Sequence, residues 1–143
     1  MTLTLARPAY DTVVAHACDE APAEACGVLG GTRGADECSV DLALRASNAA
    51  DDPHSRYELD PAEQGALLER VEGTGRDVVG FYHSHPEGPP RPSEADVAGA
   101  TWAGYTYAVV DLSGSHPFLG AWRWTGADFR QEAVALADDA AER

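Results

Sequence analysis

The segment that most constrains this chain is residues 77–96, where a predicted strand leads through a proline-rich loop into a helix. Residues 77–85, DVVGFYHSH, have the β-branched and aromatic content of a buried strand. A proline ends it, and the loop PEGPPRP leads to a predicted helix at residues 93–102. His83 and His85 are two apart on the strand, so their side chains project from the same face. Both can therefore reach one metal ion.

The remaining elements alternate in the manner of a mixed α/β protein. Helices are predicted at residues 8–20 and, behind an Asp60 cap and Pro61, up to about residue 73. Strands are predicted at residues 2–6, 24–31, 38–47, 105–112, 117–125 and 128–136. No internal repeat or second domain is visible. The chain is thus predicted to be one α/β domain, residues 1–143, of a size that buries about 70% of its unfolded surface.

The charge balance argues against nucleic acid as a partner. The chain has 24 acidic and 10 basic residues, all of the latter Arg, and a net charge of −14. A surface of this kind offers no basic stripe that could neutralise the phosphates of a nucleic acid and release their counterions. The composition suits a cytosol of molar salt, where repulsion between surface carboxylates is screened. A GC-rich genome favouring Ala, Gly, Asp and Arg codons is the alternative explanation.

The cysteines and the N-terminal segment favour a cytoplasmic protein. Cys18, Cys26 and Cys38 form an odd, sparse set without a Cys-x-x-Cys pair, which is typical of a reducing compartment. The N-terminus lacks a basic region followed by an apolar one, and no apolar stretch is long enough to span a membrane. We therefore expect no membrane association, and the sequence does not indicate an oligomeric state.

Asp96 is the candidate third ligand of the metal ion. Catalytic zinc typically has three protein ligands and keeps a fourth position for water. Ser93 and Asp96, in the order S-x-x-D, also form a pattern typical of a capping box at a helix start. The same carboxylate oxygens are not expected to serve both purposes, so Asp96 is assigned to the metal. Ser93 can cap the helix and still face a metal-bound water.

His-x-His, seven residues and then Ser-x-x-Asp resembles the JAMM motif of the MPN+ metalloproteases, matched at all four positions. The segment PAEACGVLGG at residues 22–31 is similar to the family's upstream acidic segment, which makes Glu24 the equivalent acid. Asn48 and YELDP at residues 57–61 are similar to weaker family landmarks. The resemblance implies a single MPN (JAMM) domain, with a mixed curved β-sheet flanked by helices.

The resemblance also implies a site and a mechanism. Zn²⁺ would be held by His83, His85 and Asp96, and Glu24 would take a proton from the bound water and pass it to the leaving amine. Ser93 would donate a hydrogen bond to the developing oxyanion. The expected activity is an isopeptidase that cleaves after the C-terminal Gly-Gly of a ubiquitin-like modifier joined to Lys. The loops are short, which argues against the large insertions with which longer family members grip ubiquitin.

Other functions remain alternatives at this stage. One is a peptidase that matures or releases a sulfur-carrier protein by trimming an amino acid from its C-terminus. Another is a non-catalytic MPN scaffold, although such proteins characteristically lose the ligands that this chain keeps. A zinc nucleobase deaminase is excluded because it needs a Pro-Cys-x-x-Cys signature together with His-x-Glu, and the sequence has no Pro-Cys-x-x-Cys.

Several residues with reactive or aromatic side chains are assigned no role in the chemistry. Cys26 is expected to be a small buried hydrophobe. Trp122 and Trp124 alternate along a strand and are expected to pack in the sheet. Three further histidines are expected to be exposed to solvent: His16, His54 and His116.

Overall fold

A computed structural model describes residues 1–137 of the chain. The predicted domain extent of 1–143 therefore includes residues 138–143, which lie outside the described part. The predicted elements are confirmed, with shifts of a few residues at their ends. The described part contains three helices, α1 (Arg7–Glu20), α2 (Pro61–Gly73) and α3 (Glu94–Gly99), and seven strands, β1 (Thr2–Leu5), β2 (Cys26–Arg33), β3 (Glu37–Ala46), β4 (Asp77–His85), β5 (Thr106–Asp111), β6 (Phe118–Trp124) and β7 (Phe129–Leu136).

The sheet is mixed, as expected, but it forms a closed barrel, which corrects the expectation of a curved sheet. Its strands follow the order β1-β3-β2-β4-β5-β6-β7. Strand β1 pairs in parallel with β3 on one edge and with β7 on the other, and so closes the ring. The predicted β2–β3 hairpin is confirmed by antiparallel pairing. The pairing of the first strand with the last joins residues far apart in sequence, and local patterns carry no signal for it.

Strand β4 lies between two hydrophobic clusters, one against each of its faces. It pairs antiparallel with β2 and parallel with β5. Tyr82 belongs to the cluster that packs under α1, together with Leu3, Val13 and Val40. Phe81 belongs to the cluster under α2, which also contains Cys26, Val71 and Trp124. Burial on both faces fixes β4 firmly, so its C-terminal end is a rigid support for side chains.

The helices begin where the sequence predicts, but α3 is shorter than predicted. Asp60 caps α2 by accepting a hydrogen bond from the backbone N–H of Glu63 at 3.0 Å. Helix α3 ends at Gly99 rather than at residue 102. Beyond it, the backbone N–H of Trp102 donates to the Tyr107 hydroxyl at 3.0 Å, and the indole packs on Phe81. Tertiary contacts therefore hold Trp102 outside the helix.

Among the helices of residues 1–137, none has the length and apolar character needed to cross a lipid bilayer. The packing predictions for Cys26, Trp122 and Trp124 are confirmed, since all three side chains are buried.

Candidate metal centre

The C-terminal end of strand β4 brings the two predicted histidine ligands together. The Nε2 atoms of His83 and His85 are 3.1 Å apart, and both rings are buried. Residues two apart on a strand project from the same face, so the strand alone accounts for their convergence. The structure thus brings the two predicted ligands together, and their role in binding a metal stays a prediction.

Asp96, in the first turn of α3, completes a triangle of ligand atoms. Its Oδ2 atom lies 2.9 Å from His83 Nε2 and 3.0 Å from His85 Nε2. Ser93 caps the helix, and its Oγ accepts a hydrogen bond from the backbone N–H of Asp96 at 3.2 Å. Burial opposes ionisation, but hydrogen bonds from the two histidines hold the pKa of Asp96 well below its usual range.

The capping box and the ligand triangle share an oxygen, which corrects the expectation that they would compete. The backbone N–H of Ser93 donates to Asp96 Oδ2 at 2.8 Å, and this is the atom that faces both histidines. A carboxylate oxygen has more than one lone-pair direction, so one atom can accept the cap and still face the cluster. The capping hydrogen bond thus orients the Asp96 carboxylate toward the histidines and leaves it able to bind a metal ion.

Glu24 enters the cluster from the segment just before β2. Its side chain is buried, with 6% exposure, and its Oε1 atom has no hydrogen-bond partner among the described residues. Ligand atoms of Glu24, His83, His85 and Asp96 all lie within 4.8 Å of one another. Burial raises the pKa of Glu24 to about 7, against the opposing charge of His85. A carboxylate tuned to this range suits a general base at neutral pH.

Two contacts that the sequence did not predict orient the histidines. His85 Nδ1 lies 2.7 Å from the carbonyl oxygen of Pro89. A carbonyl only accepts, so Nδ1 carries a proton. In the protonated ring Nε2 donates to Asp96, and in the neutral ring the Nε2 lone pair faces the cluster, ready for a metal ion. The Tyr57 ring stacks on His83, with centroids 4.3 Å apart. The sequence indicates the rigid loop and the YELDP segment. It does not indicate that these two segments contact the histidines, because that depends on the tertiary fold.

Asn48 and Ser84 hold the segment that carries Glu24. The Asn48 side-chain amide donates to the backbone carbonyls of Glu24 and Arg56, each at 3.0 Å. Ser84 Oγ accepts a hydrogen bond from the backbone N–H of Ala25 at 2.8 Å. Both contacts fix the backbone beside Glu24. In the sequence Asn48 is only a family landmark and Ser84 has no predicted role, although the place of Ser84 between two ligand candidates is a signal.

Of the histidines assigned no role, one is placed differently from its prediction. His54 and His116 are exposed, as expected. His16 is 2% exposed, and its Nδ1 atom lies 2.7 Å from the Tyr82 hydroxyl. Helix α1 packs its apolar side on the barrel, and His16 lies on that side beside Val13 and Ala17. The prediction of exposure was therefore wrong for His16.

The donor set fits a catalytic zinc ion. Two imidazole nitrogens and one carboxylate oxygen are the ligands of many hydrolytic zinc sites, which leave a fourth position for water. Ligands about 2.0–2.1 Å from a tetrahedral zinc stand roughly 3.3 Å from one another. The three atoms here are 2.9–3.1 Å apart, so a small opening of the triangle admits the ion. A carboxylate oxygen of Glu24 lies within 4.8 Å of these atoms, and the buried Oε1 of this residue has no partner among the described residues.

Two clefts adjoin the cluster on different sides. The first, here called the α3 groove, has a volume of about 400 Å³ and lies between the extended segment 56–59 and α3. Asp96 lines it. The second, here called the Glu24 cleft, has a volume of about 260 Å³ and is lined by Glu24 and His85. The cluster thus lies between two spaces that a substrate can occupy.

Comparison with known proteins identifies the family. A family model described as prokaryotic homologs of the JAB domain matches residues 6–125. The chain belongs to this family. All residues of the cluster fall within the matched range, and the JAMM resemblance of the sequence is confirmed.

Curated relatives of this JAB-domain protein include a desampylase, a protease and a peptidase. A desampylase from Haloferax volcanii is 44% identical over 138 residues, covering 94% of this chain and 96% of the relative. A probable TtuB-protein conjugate cleaving protease from Thermus thermophilus is 30% identical, covering 83% of this chain and 76% of the relative. A CysO-cysteine peptidase from Mycobacterium tuberculosis is 35% identical, covering 74% and 70%. The chain is accordingly a JAMM-type peptidase, and its Haloferax relative agrees with the molar-salt interpretation of its composition.

Solved structures agree with this JAB-domain fold. The solution structure of a protein from Desulfitobacterium hafniense superposes with a TM-score of 0.87 at 28% identity, covering 96% of this chain and 94% of the other. A protein from Salinibacter ruber gives a TM-score of 0.71 at 34% identity, covering 97% and 93%.

Proposed function

We propose that this JAB-domain protein is a zinc-dependent isopeptidase. It hydrolyses the bond between the C-terminal Gly-Gly of a ubiquitin-like modifier and a Lys amine. The observation that carries the proposal is the buried convergence of Glu24, His83, His85 and Asp96 in a chain 44% identical to a desampylase. A silent scaffold is not favoured, because the ligand atoms are all present and aimed at one point.

His83, His85 and Asp96 would hold the zinc, which when bound polarises the scissile carbonyl and lowers the pKa of water to about 7. Glu24 takes the proton of the attacking water and delivers it to the leaving nitrogen. One water is consumed, and its oxygen joins the carbonyl carbon as the C–N bond breaks. The products are a modifier with a free C-terminal carboxylate and a free amine.

Ser93 is available to stabilise the oxyanion. Its Oγ already accepts the hydrogen bond of the helix cap from Asp96, and the hydroxyl proton remains free to donate. In this role Ser93 would donate to the carbonyl oxygen as negative charge develops on it. The Ser93 hydroxyl oxygen would then accept the capping hydrogen bond, while its proton is donated to the oxyanion.

The α3 groove suits an extended peptide tail. Glu58 uses its backbone N–H and C=O toward Asn48 and Ala49. Backbone groups alternate in direction along an extended segment, so those of Tyr57 and Leu59 face the groove, and no hydrogen bond of residues 1–137 uses them. A tail laid in the groove can pair with them as an added strand. Small residues of α3, including Ala98 and Gly99, form the opposite wall.

Glycine is the residue that fits where this groove reaches the cluster. The groove ends at Asp96, which is buried. A Gly-Gly end has no side chains to clash with the ligands there, whereas bulkier residues can occupy the apolar part near Phe81 and Trp102. This matches a modifier with a flexible C-terminal tail on a folded body.

The proposal is tested with purified protein in high salt and modifier conjugates from the same source. Free modifier should be released, release should stop when a chelator is added, and zinc should restore it. Conjugates with the penultimate Gly replaced by Leu should resist cleavage while the protein keeps its zinc. Release that is unaffected by complete metal removal would contradict the proposal.

We further propose that residues 1–143 form one cytoplasmic domain whose partners are modifier conjugates rather than nucleic acid. A peptidase that trims a sulfur-carrier protein is a second candidate, because a CysO-cysteine peptidase is 35% identical to this chain. The two candidates share a metal centre and differ in the leaving group.

A further inference from the structure

The two clefts beside the metal centre differ in which catalytic residue they contain. Asp96 lines the α3 groove and Glu24 does not, whereas Glu24 lines the Glu24 cleft and Asp96 does not. The base that takes a proton from water must return it to the leaving nitrogen, so that nitrogen lies on the side of Glu24. With the modifier tail in the α3 groove, the Glu24 cleft receives the leaving group.

The lining of the Glu24 cleft combines two carboxylates with two proline rings. Two proline rings, Pro22 and Pro86, form apolar walls, and the carboxylates of Glu24 and Glu87 contribute negative charge. His54, Ser55, His85 and Gly88 complete the lining. The two positive charges of a zinc ion held by His85 would be offset by Asp96 and Glu24, so Glu87 leaves the surroundings of the cleft negative. No Arg lines the cleft, and the chain has no Lys at all. Glu24 Oε1 is buried there without a hydrogen-bond partner among residues 1–137.

The two candidate leaving groups, a Lys side chain and a single C-terminal amino acid, would bring different charges into the Glu24 cleft. A Lys side chain presents four methylene groups after its nitrogen, which suit the proline walls, and keeps its backbone carbonyl outside. A single C-terminal amino acid carries a free carboxylate one carbon away from the scissile nitrogen. That carboxylate would be brought toward Glu24 and Glu87 with no arginine to pair it, and like charges at short range disfavour binding.

We propose that the Glu24 cleft is a leaving-group site that accepts a Lys side chain or an amidated residue and discriminates against a free α-carboxylate. The enzyme would then detach modifiers from proteins and would be a poor enzyme for removing one C-terminal amino acid from a carrier protein. This inference rests on the proposed function, and it selects between the two candidates for the substrate.

The test compares three substrates that share one modifier ending in Gly-Gly. The modifier is joined to the Nε of an acetylated lysine amide, to the α-amine of alaninamide, or to that of alanine with its free carboxylate. Alanine and alaninamide differ only in charge at nearly equal shape. At the lowest salt that keeps the protein folded, kcat/KM for alanine should be at least about tenfold below that for alaninamide. The ratio should approach unity as salt rises.

Two variants and a binding measurement test whether the discrimination against a free carboxylate arises in the Glu24 cleft. Glu87→Arg should raise the relative rate on the alanine substrate by about fivefold, since an exposed charge acts through solvent. Glu69→Arg, on the exposed side of α2, is the matched control and should leave the ratio unchanged. Ketomethylene analogues of the alanine and alaninamide conjugates cannot be cleaved, so calorimetry on the zinc-loaded protein reports their binding alone. The carboxylate analogue should bind more weakly by a similar factor.

Equal rates and equal affinities for the alanine and alaninamide forms would overturn the inference while leaving the proposed isopeptidase intact. Failure to cleave the lysine conjugate would instead refute the proposed function, and the calorimetry would still decide whether the cleft rejects a carboxylate. A ratio that stays constant as salt is varied would also overturn the inference, because it would indicate shape rather than charge.

Discussion

Strand β4 has a buried histidine site against each of its faces, and the two sites differ in how their polar atoms are satisfied. On one face His16 makes a 2.7 Å hydrogen bond with Tyr82 inside a hydrophobic cluster. On the other, His83 converges with two more ligand atoms, while its own Nδ1 and Glu24 Oε1 lack partners among the described residues. Burial is common to both sites. What distinguishes the candidate metal centre is the convergence of four possible ligand atoms, together with a buried Glu24 oxygen that has no partner among residues 1–137.

One other buried group in residues 1–137 has atoms without partners, and it sharpens the distinction. Arg123 Nε and Glu132 Oε2 make no hydrogen bond, but the two side chains form an ion pair at 3.6 Å, and Thr106 donates to Glu132 Oε1. Opposite charges there offset one another. At the metal centre, atoms that can act as metal ligands face one another, and a cation bound between neutral histidines would satisfy them together.

The largest effect is expected when a ligand is removed. His83→Ala, His85→Ala or Asp96→Ala should each abolish most zinc binding and lower cleavage by at least about a thousandfold, because three ligands leave none to spare. Metal analysis of the purified variants, with the rate on a modifier conjugate, checks this. His16→Leu is the matched control, since it removes an equally buried histidine and should keep the zinc. Full zinc occupancy in all three ligand variants would remove the distinction between the two sites.

Glu24→Gln should separate binding from chemistry. The amide keeps the shape of the side chain but cannot accept the proton, so zinc content should be unchanged and kcat should fall at least about a hundredfold. Metal analysis measures the zinc content, and a quenched time course of conjugate cleavage measures kcat. Normal turnover by Glu24→Gln would mean that the buried carboxylate is only a structural neighbour of the cluster.

Ser93→Ala tests the double use of one hydroxyl. Loss of the oxyanion donor should lower kcat by up to about a hundredfold, and loss of the cap should reduce the free energy of unfolding by about 1 kcal/mol. Ser93→Thr keeps the hydroxyl and should recover most of the rate. Activities are compared at matched folded fraction, measured by circular dichroism. A rate loss that vanishes under this correction would leave Ser93 as a cap alone.

Asn48→Ala should have a smaller effect, because Asn48 acts through the backbone that carries Glu24. We expect a fall in kcat of roughly tenfold with zinc retained, since a misplaced base loses part of its efficiency. The variant also frees Arg56 and Glu58, whose backbone groups Asn48 holds, so KM for the modifier conjugate should rise too. A change in stability with kcat and KM intact would contradict this positioning role.

Tyr82→Phe should have the smallest effect on catalysis, although it alters a residue next to His83. It removes the partner of the buried His16 ring and should lower the free energy of unfolding by about 1–3 kcal/mol. Zinc content and kcat should stay at wild-type values. Denaturant titration and metal analysis together check the prediction, and loss of zinc would show that the two faces of β4 are coupled.

The sequence alone was sufficient for the elements and for the cluster residues, and the reasons are local. Strand periodicity places His83 and His85 on one face, and Ser-x-x-Asp places Asp96 in a first helical turn. Both patterns need only neighbouring residues. The same holds for the Asp60 cap and for the hairpin of β2 and β3.

What the sequence could not supply depends on contacts between distant segments. Closure of the barrel needs β1 to pair with β7 across almost the whole chain. The buried state of His16 depends on which side of α1 meets the barrel, and its weak amphipathic pattern did not decide this. Tyr57 on His83 and Pro89 at His85 likewise join loops to a strand, and no spacing rule encodes such contacts.

X-ray absorption at the zinc edge of the stoichiometrically loaded wild-type protein tests the central claim most directly. Our account predicts one zinc per chain, with two imidazole nitrogens, otherwise only oxygen ligands at about 2.0–2.2 Å, and no sulfur. Cys26 pairs with His83 in the β2–β4 ladder and is the nearest thiol that could be mistaken for a ligand. A spectrum with a sulfur at about 2.3 Å, or with fewer than two imidazoles, would contradict the proposed metal centre.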